Sequence, residues 1–249
     1  MMSSFRLATL AAFAFLSMNC SKEAPAPVRE APPQAVSAAA AAGATRLTIA
    51  PGGSASFLID APLEKIKGQS SKLRGYIDVD SHDLRATRGM IEVDLDDLTT
   101  STFDDADKNK TQTGHAHNWL EIGSDVAAAR REENRWARFT IKSIQELPAG
   151  TVAAAEGERV AAVEATGDFW MHGVTAAKTV RVELAFSGPA SAPNAVRFKT
   201  SAPLRVSLRE HDVKPRDLAG KFLAGALEKV GQKIDDTVQV TIDARAVRP

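Results

Sequence analysis

Long stretches of this chain alternate apolar and polar residues with a period of two, and the apolar member keeps the same parity within each run. Ile77 and Val79 alternate with Tyr76, Asp78 and Asp80, and Ile91, Val93 and Leu95 with Glu92, Asp94 and Asp96. Val180, Val182, Leu184 and Phe186 do the same against Arg181, Glu183 and Ala185. Successive side chains on a strand point to opposite faces, so each run reads as a strand with one apolar and one wet face. Eight such segments can be placed: Ser54–Asp60, Leu73–Val79, Arg88–Leu95, Arg135–Ile144, Val160–Met171, Thr179–Ser187, Val196–Leu208 and Thr237–Ala244. Many strands with little helix between them predict an all-β antiparallel protein. About eight suit a closed up-and-down barrel, which leaves no sheet edge exposed.

Parity also predicts what faces inward. The first half contributes Phe57, Ile59, Ile77, Val79, Ile91, Val93, Leu95, Phe139 and Ile141. The second half contributes Phe169, Val182, Leu184, Phe186, Phe198, Val206, Leu208, Val240 and Ile242. Ala137, Ala165 and Gly167 share this parity. Their small size either leaves room for an apolar ligand or fits the taper of a packed barrel. The carboxylates fall mostly on the outward parity and read as solubilising charges.

Two segments interrupt the β rhythm and predict one or two accessory helices. Residues Thr102 to Ile122 read as a helix or a long loop ending in Trp119, Leu120 and Ile122. Residues Arg216 to Gly231 carry Leu218, Phe222, Leu223, Ala226, Leu227 and Val230 at helical spacing. That pattern predicts an amphipathic helix over one barrel end, as a lid or a plug.

No catalytic or metal motif stands out. His115 and His117 are two apart, so on a helix they diverge and could share an ion only on a strand or loop, with His172 or His211 completing the set. Asp105, Asp107 and Asn109 resemble the start of a calcium loop, but Lys110 stands where glycine is needed and Ala116 where the closing glutamate should be. Gly52-Gly53-Ser54-Ala55-Ser56 lacks the final glycine of a nucleophile elbow and precedes a strand. The reading is therefore a non-enzymatic protein with no cofactor and no metal.

The N-terminus reads as an address. Arg6 precedes the apolar run Leu7 to Leu16, which is too short to span a bilayer and suits a secretory signal over residues 1–19. Leu16-Ser17-Met18-Asn19-Cys20 resembles a bacterial lipobox, although Asn19 and the early Leu16 depart from its usual form. Cys20 is the only cysteine in the chain and has no disulfide partner. It therefore reads as a lipidation site that anchors the protein to a membrane, with an ordinary unmodified thiol as the alternative. Residues 20–46 are rich in Ala and Pro and read as a semi-rigid tether. The barrel domain is then expected over 47–249. Basic and acidic residues balance at 31 each. This leaves no basic excess for a nucleic-acid partner.

With the strands placed, a family resemblance emerges. Gly167-Asp168-Phe169-Trp170-Met171-His172-Gly173-Val174-Thr175, followed by Val180-Arg181-Val182, resembles the strand–turn–strand signature of the YceI-like family. Ser56-Phe57-Leu58-Ile59-Asp60, Leu73-Arg74-Gly75-Tyr76-Ile77-Asp78-Val79-Asp80, Ala137-Arg138-Phe139-Thr140 and Val213-Lys214-Pro215 fall in the expected order. Thr113-Gly114-His115-Ala116-His117-Asn118-Trp119-Leu120 departs from the family's usual Arg-Asp-x-His-Leu, and only His117 corresponds to its histidine. The resemblance implies a lipocalin-like β-barrel holding an isoprenoid tail, such as that of a quinone or prenyl phosphate. The implied ligand-binding wall is Ile77, Ile91, Val93, Phe139, Ile141 and Phe169, with Val182, Leu184, Phe186, Phe198 and Val206. Candidates for the head group at the mouth are His117, Trp119 and His211, with Trp119 as a plain core anchor as the other reading.

These readings place the chain in the bacterial periplasm. Ser21 after Cys20 favours the outer over the inner membrane, and a homodimer stays open. The rival to a lipid carrier is a structural or stress-related envelope module with a packed core and a protein partner.

Overall fold

The computed structural model describes residues 29–31, 43–60, 65–80, 82–148, 158–213 and 236–249. The expected signal segment, Cys20, Lys214, Pro215 and the helix expected at 216–231 lie outside them.

Among the described residues, twelve strands run in chain order. They are β1 (Thr45–Ile49), β2 (Ser54–Asp60), β3 (Lys65–Ser70), β4 (Leu73–Val79), β5 (Arg88–Asp94) and β6 (Thr99–Thr100), then β7 (Trp136–Leu147), β8 (Arg159–Met171), β9 (Val174–Ser187), β10 (Ala195–Thr200), β11 (Leu204–Ser207) and β12 (Thr237–Val247). Two helices, α1 (Ala106–Trp119) and α2 (Ala128–Asn134), lie between β6 and β7. All pairings are antiparallel, and the ring β1-β4-β5-β7-β8-β9-β10-β12 closes on itself where β12 pairs β1. The remaining strands extend these staves. β12 pairs β10 and β11 along one edge, and β1 and β2 along the other. Breaks at Pro51-Gly52-Gly53, Ser71-Lys72 and Ser201-Pro203 thus divide long staves into the shorter strands. The barrel is a closed eight-stave meander, as the alternation predicted.

Sequence reading missed β1, β3 and the two-residue β6. β1 has only two inward residues, Leu47 and Ile49, beside a Pro/Ala-rich stretch, and β3 (KIKGQS) is mostly polar. The Thr102–Ile122 segment resolves into α1, whose N-cap is Asp105. Its carboxylate accepts from the Asp107 and Lys108 amides at 2.9 and 3.1 Å, so it satisfies a helix terminus.

One parity expectation needs adjusting. A bulge between Ile141 and Ser143 inserts an extra residue in β7. Ile144 therefore faces the interior along with Ile141, although their parities differ. Between β8 and β9 the chain turns on two residues, His172 (φ 52°) and Gly173 (φ 81°). Positive φ at both central positions matches the right-handed twist of the strands it joins, and glycine adopts it without steric cost.

The outward carboxylates of β5 are not solvated. Glu92 and Asp94 are each only 1% exposed. Arg138 of β7 donates from Nε to Glu92 Oε1 at 2.8 Å, with a second, shorter contact from Nη2. Arg74 of β4 donates to Glu92 Oε2 at 2.6 Å. Arg135 grips Asp94 through Nε and Nη2 at 3.1 and 2.8 Å. The Arg74 guanidinium also lies 3.5 Å from the Trp136 ring centre. Reading these two acids as solubilising was wrong, because parity gives the face but not what covers it. The network cross-links β4, β5 and β7 from outside. Removing Arg138 leaves the buried Glu92 with only the half-exposed Arg74 as a partner. Arg138→Leu should therefore cost about 3–5 kcal/mol in urea unfolding. A loss below about 1 kcal/mol, typical of exposed pairs, would show the network to be dispensable.

Candidate functional site: the barrel cavity and its helical cap

The barrel is hollow. It encloses a cavity of about 210 Å³, so the small inward residues border open space and do not merely fit a packed taper. Ala137 and Ala165 are in its wall. Gly167 lies where β7 and β8 approach closely, so an added Cβ would meet Thr140 O at 2.1 Å.

The wall is built by alternation on facing staves. Ile77, Ile91, Val93, Phe139 and Ile141 line it from β4, β5 and β7, and Phe169 from β8. Val182, Leu184 and Phe186 of β9, Phe198 of β10 and Val206 of β11 complete that set. Other residues were not singled out as site residues. Val163 and Val180 have the right parity and could have been found, whereas Leu98, Ala116 and Leu120 belong to loop or helix and carried no strand signal. Four hydroxyls enter the lining, from Ser56, Ser70, Thr87 and Thr200. Three are held by the protein itself. Ser70 donates to Asp94 O at 2.8 Å, and Thr87 and Thr200 accept from the Asp80 and Ile242 amides at 3.3 and 3.0 Å. The wall thus offers contact area far more than hydrogen bonding.

The three head-group candidates separate. Trp119 is in the wall, beside Ala116 and Leu120, where α1 closes one barrel end. His117 is not among the lining residues, and its Nε2 lies 3.0 Å from Leu98 O, pinning α1 to the segment before it. His211 is fully buried outside the lining, edge-on to Phe169 with ring centres 5.2 Å apart. It supports the wall from behind. His115 and His117 sit on α1, whereas His172 and His211 pack together, with His172 Nδ1 3.0 Å from His211 O. The four histidines do not form one cluster, and the described residues hold no group of three His, Cys, Asp or Glu suited to a metal.

Beneath the cap lies a polar cluster that sequence reading did not anticipate. His172 Nε2 is 3.3 Å from Glu121 Oε2. That carboxylate accepts from Arg130 Nε at 2.7 Å and Asn134 Nδ2 at 3.2 Å, with Arg29 at 3.6 Å. Burial and the nearby Arg29 push the His172 imidazole down to about 4, because two guanidinium groups already neutralise Glu121. Burial also lowers His211. Glu121, His172 and Asp212, the three non-glycine residues with left-handed φ among those described, all belong to this cluster. Such backbone is held only where surrounding contacts over-determine it.

The comparisons with known proteins agree with this architecture. A YceI-like domain matches residues 48–246. The chain belongs to the YceI-like family. Among solved structures, this YceI-like chain is similar to a polyisoprenoid-binding domain from Saccharophagus degradans implicated in plant cell wall breakdown. The TM-score is 0.51 and the identity 14%, covering 83% of this chain and 99% of that one. Burkholderia cenocepacia BcnA gives a TM-score of 0.50 at 16% identity, covering 78% and 96%. No curated protein sequence matches the chain significantly.

The buried histidines give a pH prediction. The unfolded chain protonates His172 near pH 6.5, while the folded protein resists until about pH 4. The unfolded state therefore binds more protons in that window, and stability falls as pH drops through it. The loss attributable to His172 is at most about 3 kcal/mol. Urea midpoints at pH 7 and pH 4.5 should converge in His172→Gln relative to wild type. An unchanged difference would mean that His172 titrates normally.

Proposed function

We propose that the barrel binds one isoprenoid-type lipid, with its tail in the cavity, and acts as a non-enzymatic carrier or buffer. The observation that supports this most strongly is the hollow itself: an apolar bore whose hydroxyls are mostly occupied. Such a wall recognises a tail by contact alone, each buried methylene contributing about 0.8 kcal/mol. Membership in the YceI-like family and the likeness to a protein described as polyisoprenoid-binding support the same reading. A quinone or a prenyl phosphate fits equally well, because the wall reads the tail. The hollow weighs against a packed-core module, the rival reading.

We place this activity in the bacterial envelope, with Cys20 lipidated at the outer membrane. Cys20→Ser should then move the protein from the membrane to the soluble fraction and abolish incorporation of labelled palmitate. Incorporation surviving in the variant would remove Cys20 as the anchor site.

The binding test is organic extraction and mass spectrometry of the chain from Ser21 onward, purified from bacteria without detergent. One isoprenoid per protein is expected. In Ala165→Phe, which fills the bore at a site already in the wall, lipid content should fall at least tenfold while the fold persists. A wild-type protein that carries no lipid, even after exposure to quinones and prenyl phosphates, would overturn the proposal.

A further inference from the structure

The described segment Arg29–Ala31 belongs to the stretch that reads as tether, yet it lies against the barrel. Glu30 N donates to Gly173 O at 2.6 Å, and Thr175 Oγ1 donates to Glu30 Oε2 at 2.6 Å. Arg29 Nη2 donates to Asn134 Oδ1 at 3.1 Å, while Nη1 lies 3.6 Å from Glu121 and 3.7 Å from Asp212. Two residues thus touch the turn after β8, the connection after α1, the end of α2 and the loop after β11.

The position of these contacts relative to the cavity gives them a role. Leu120, immediately before Glu121, and Val213, immediately after Asp212, both line the cavity. Leu120 belongs to the cap and Val213 to the loop after β11, and both border the same cavity. A guanidinium between Glu121 and Asp212 joins these two pieces of wall from outside. The site is built for it. Both carboxylates are mostly buried, Asn134 is 1% exposed, and Glu121, His172 and Asp212 hold left-handed backbone.

We infer that Arg29 and Glu30 form a staple that locks the helical cap onto the barrel rim, so that ligand passes between Leu120 and Val213 only when the staple lets go. The ligand clause rests on the proposed lipid binding, whereas the locking of the cap does not. The staple also sets direction. Thr45 pairs with Val79 at the far end of β4, whereas Leu73, at its near end, pairs toward the cap. The barrel's first strand therefore begins at the end opposite the cap, while Arg29 is held at the cap. Eight residues separate Cys20 from Arg29, a reach of about 30 Å when fully extended. A lipid on Cys20 would then hold the portal, and not the opposite end, near the membrane.

Two readouts on the chain from Ser21 onward test this. Hydrogen exchange without ligand should quicken at least tenfold in α1 and in residues 208–213 of Arg29→Ala, and to a smaller degree in Thr175→Val. Release of retinol, a fluorescent isoprenoid alcohol, should accelerate by a similar factor. Exchange within twofold of wild type in both variants overturns the staple. Faster exchange with unchanged retinol release overturns its control of the portal. If wild type binds no retinol, the lipid proposal is what suffers, and exchange alone still decides the staple.

Discussion

Closure of the sheet through β12 is the constraint on which everything else depends. β12 meets β10 and β11 on one edge and β1 and β2 on the other, so the last stave joins the first two strands of the chain. Once closed, the sheet has an inside, and alternation sends every second side chain there. The size of those side chains then decides whether the inside is a core or a bore. Here Ala137 and Ala165, beside a β7–β8 approach too tight for a side chain at Gly167, keep it open. A flat sheet with the same residues would expose that face to water and associate with other sheets.

Closure also explains where the charges went. An apolar interior pushes charged groups outward, and some outward positions are covered again by neighbouring side chains. Glu92 and Asp94 are such positions: Glu92 is held by the guanidinium groups of Arg74 and Arg138, Asp94 by that of Arg135, and Arg74 and Arg135 in turn lie against the Trp136 ring. At the cap the same logic produces the cluster of Glu121, Asn134, His172 and Asp212, completed by Arg29 and Arg130. The barrel therefore combines a permissive interior with a strict exterior. The bore presents a wall with few polar groups to fix an occupant, while the polar clusters outside fix the staves and the cap.

That division would suit the proposed carrier, which holds a flexible apolar chain and later releases it. Contact with smooth aliphatic walls is strong in sum and weak at each point, so no single bond has to break on exit. What needs control is the opening. At the inferred portal the residues are helix and loop, held by ion pairs and hydrogen bonds, which can be broken and re-formed without unfolding the barrel.

The residue pattern alone determined the barrel, its approximate stave count and most of its wall, because a period of two directly encodes which side chains share a face. It also identified the family, through short motifs whose order follows the staves. The pattern could not determine whether the bore was filled, since that depends on how closely staves approach and on a bulge at Ile141–Ser143 that returns Ile144 to the interior. Nor could it place His211 behind Phe169, bury Glu92, or bring Arg29 to Glu121 and Asp212. Those are contacts between residues distant in the chain, set by closure and by the path of the loops, and no local periodicity carries them.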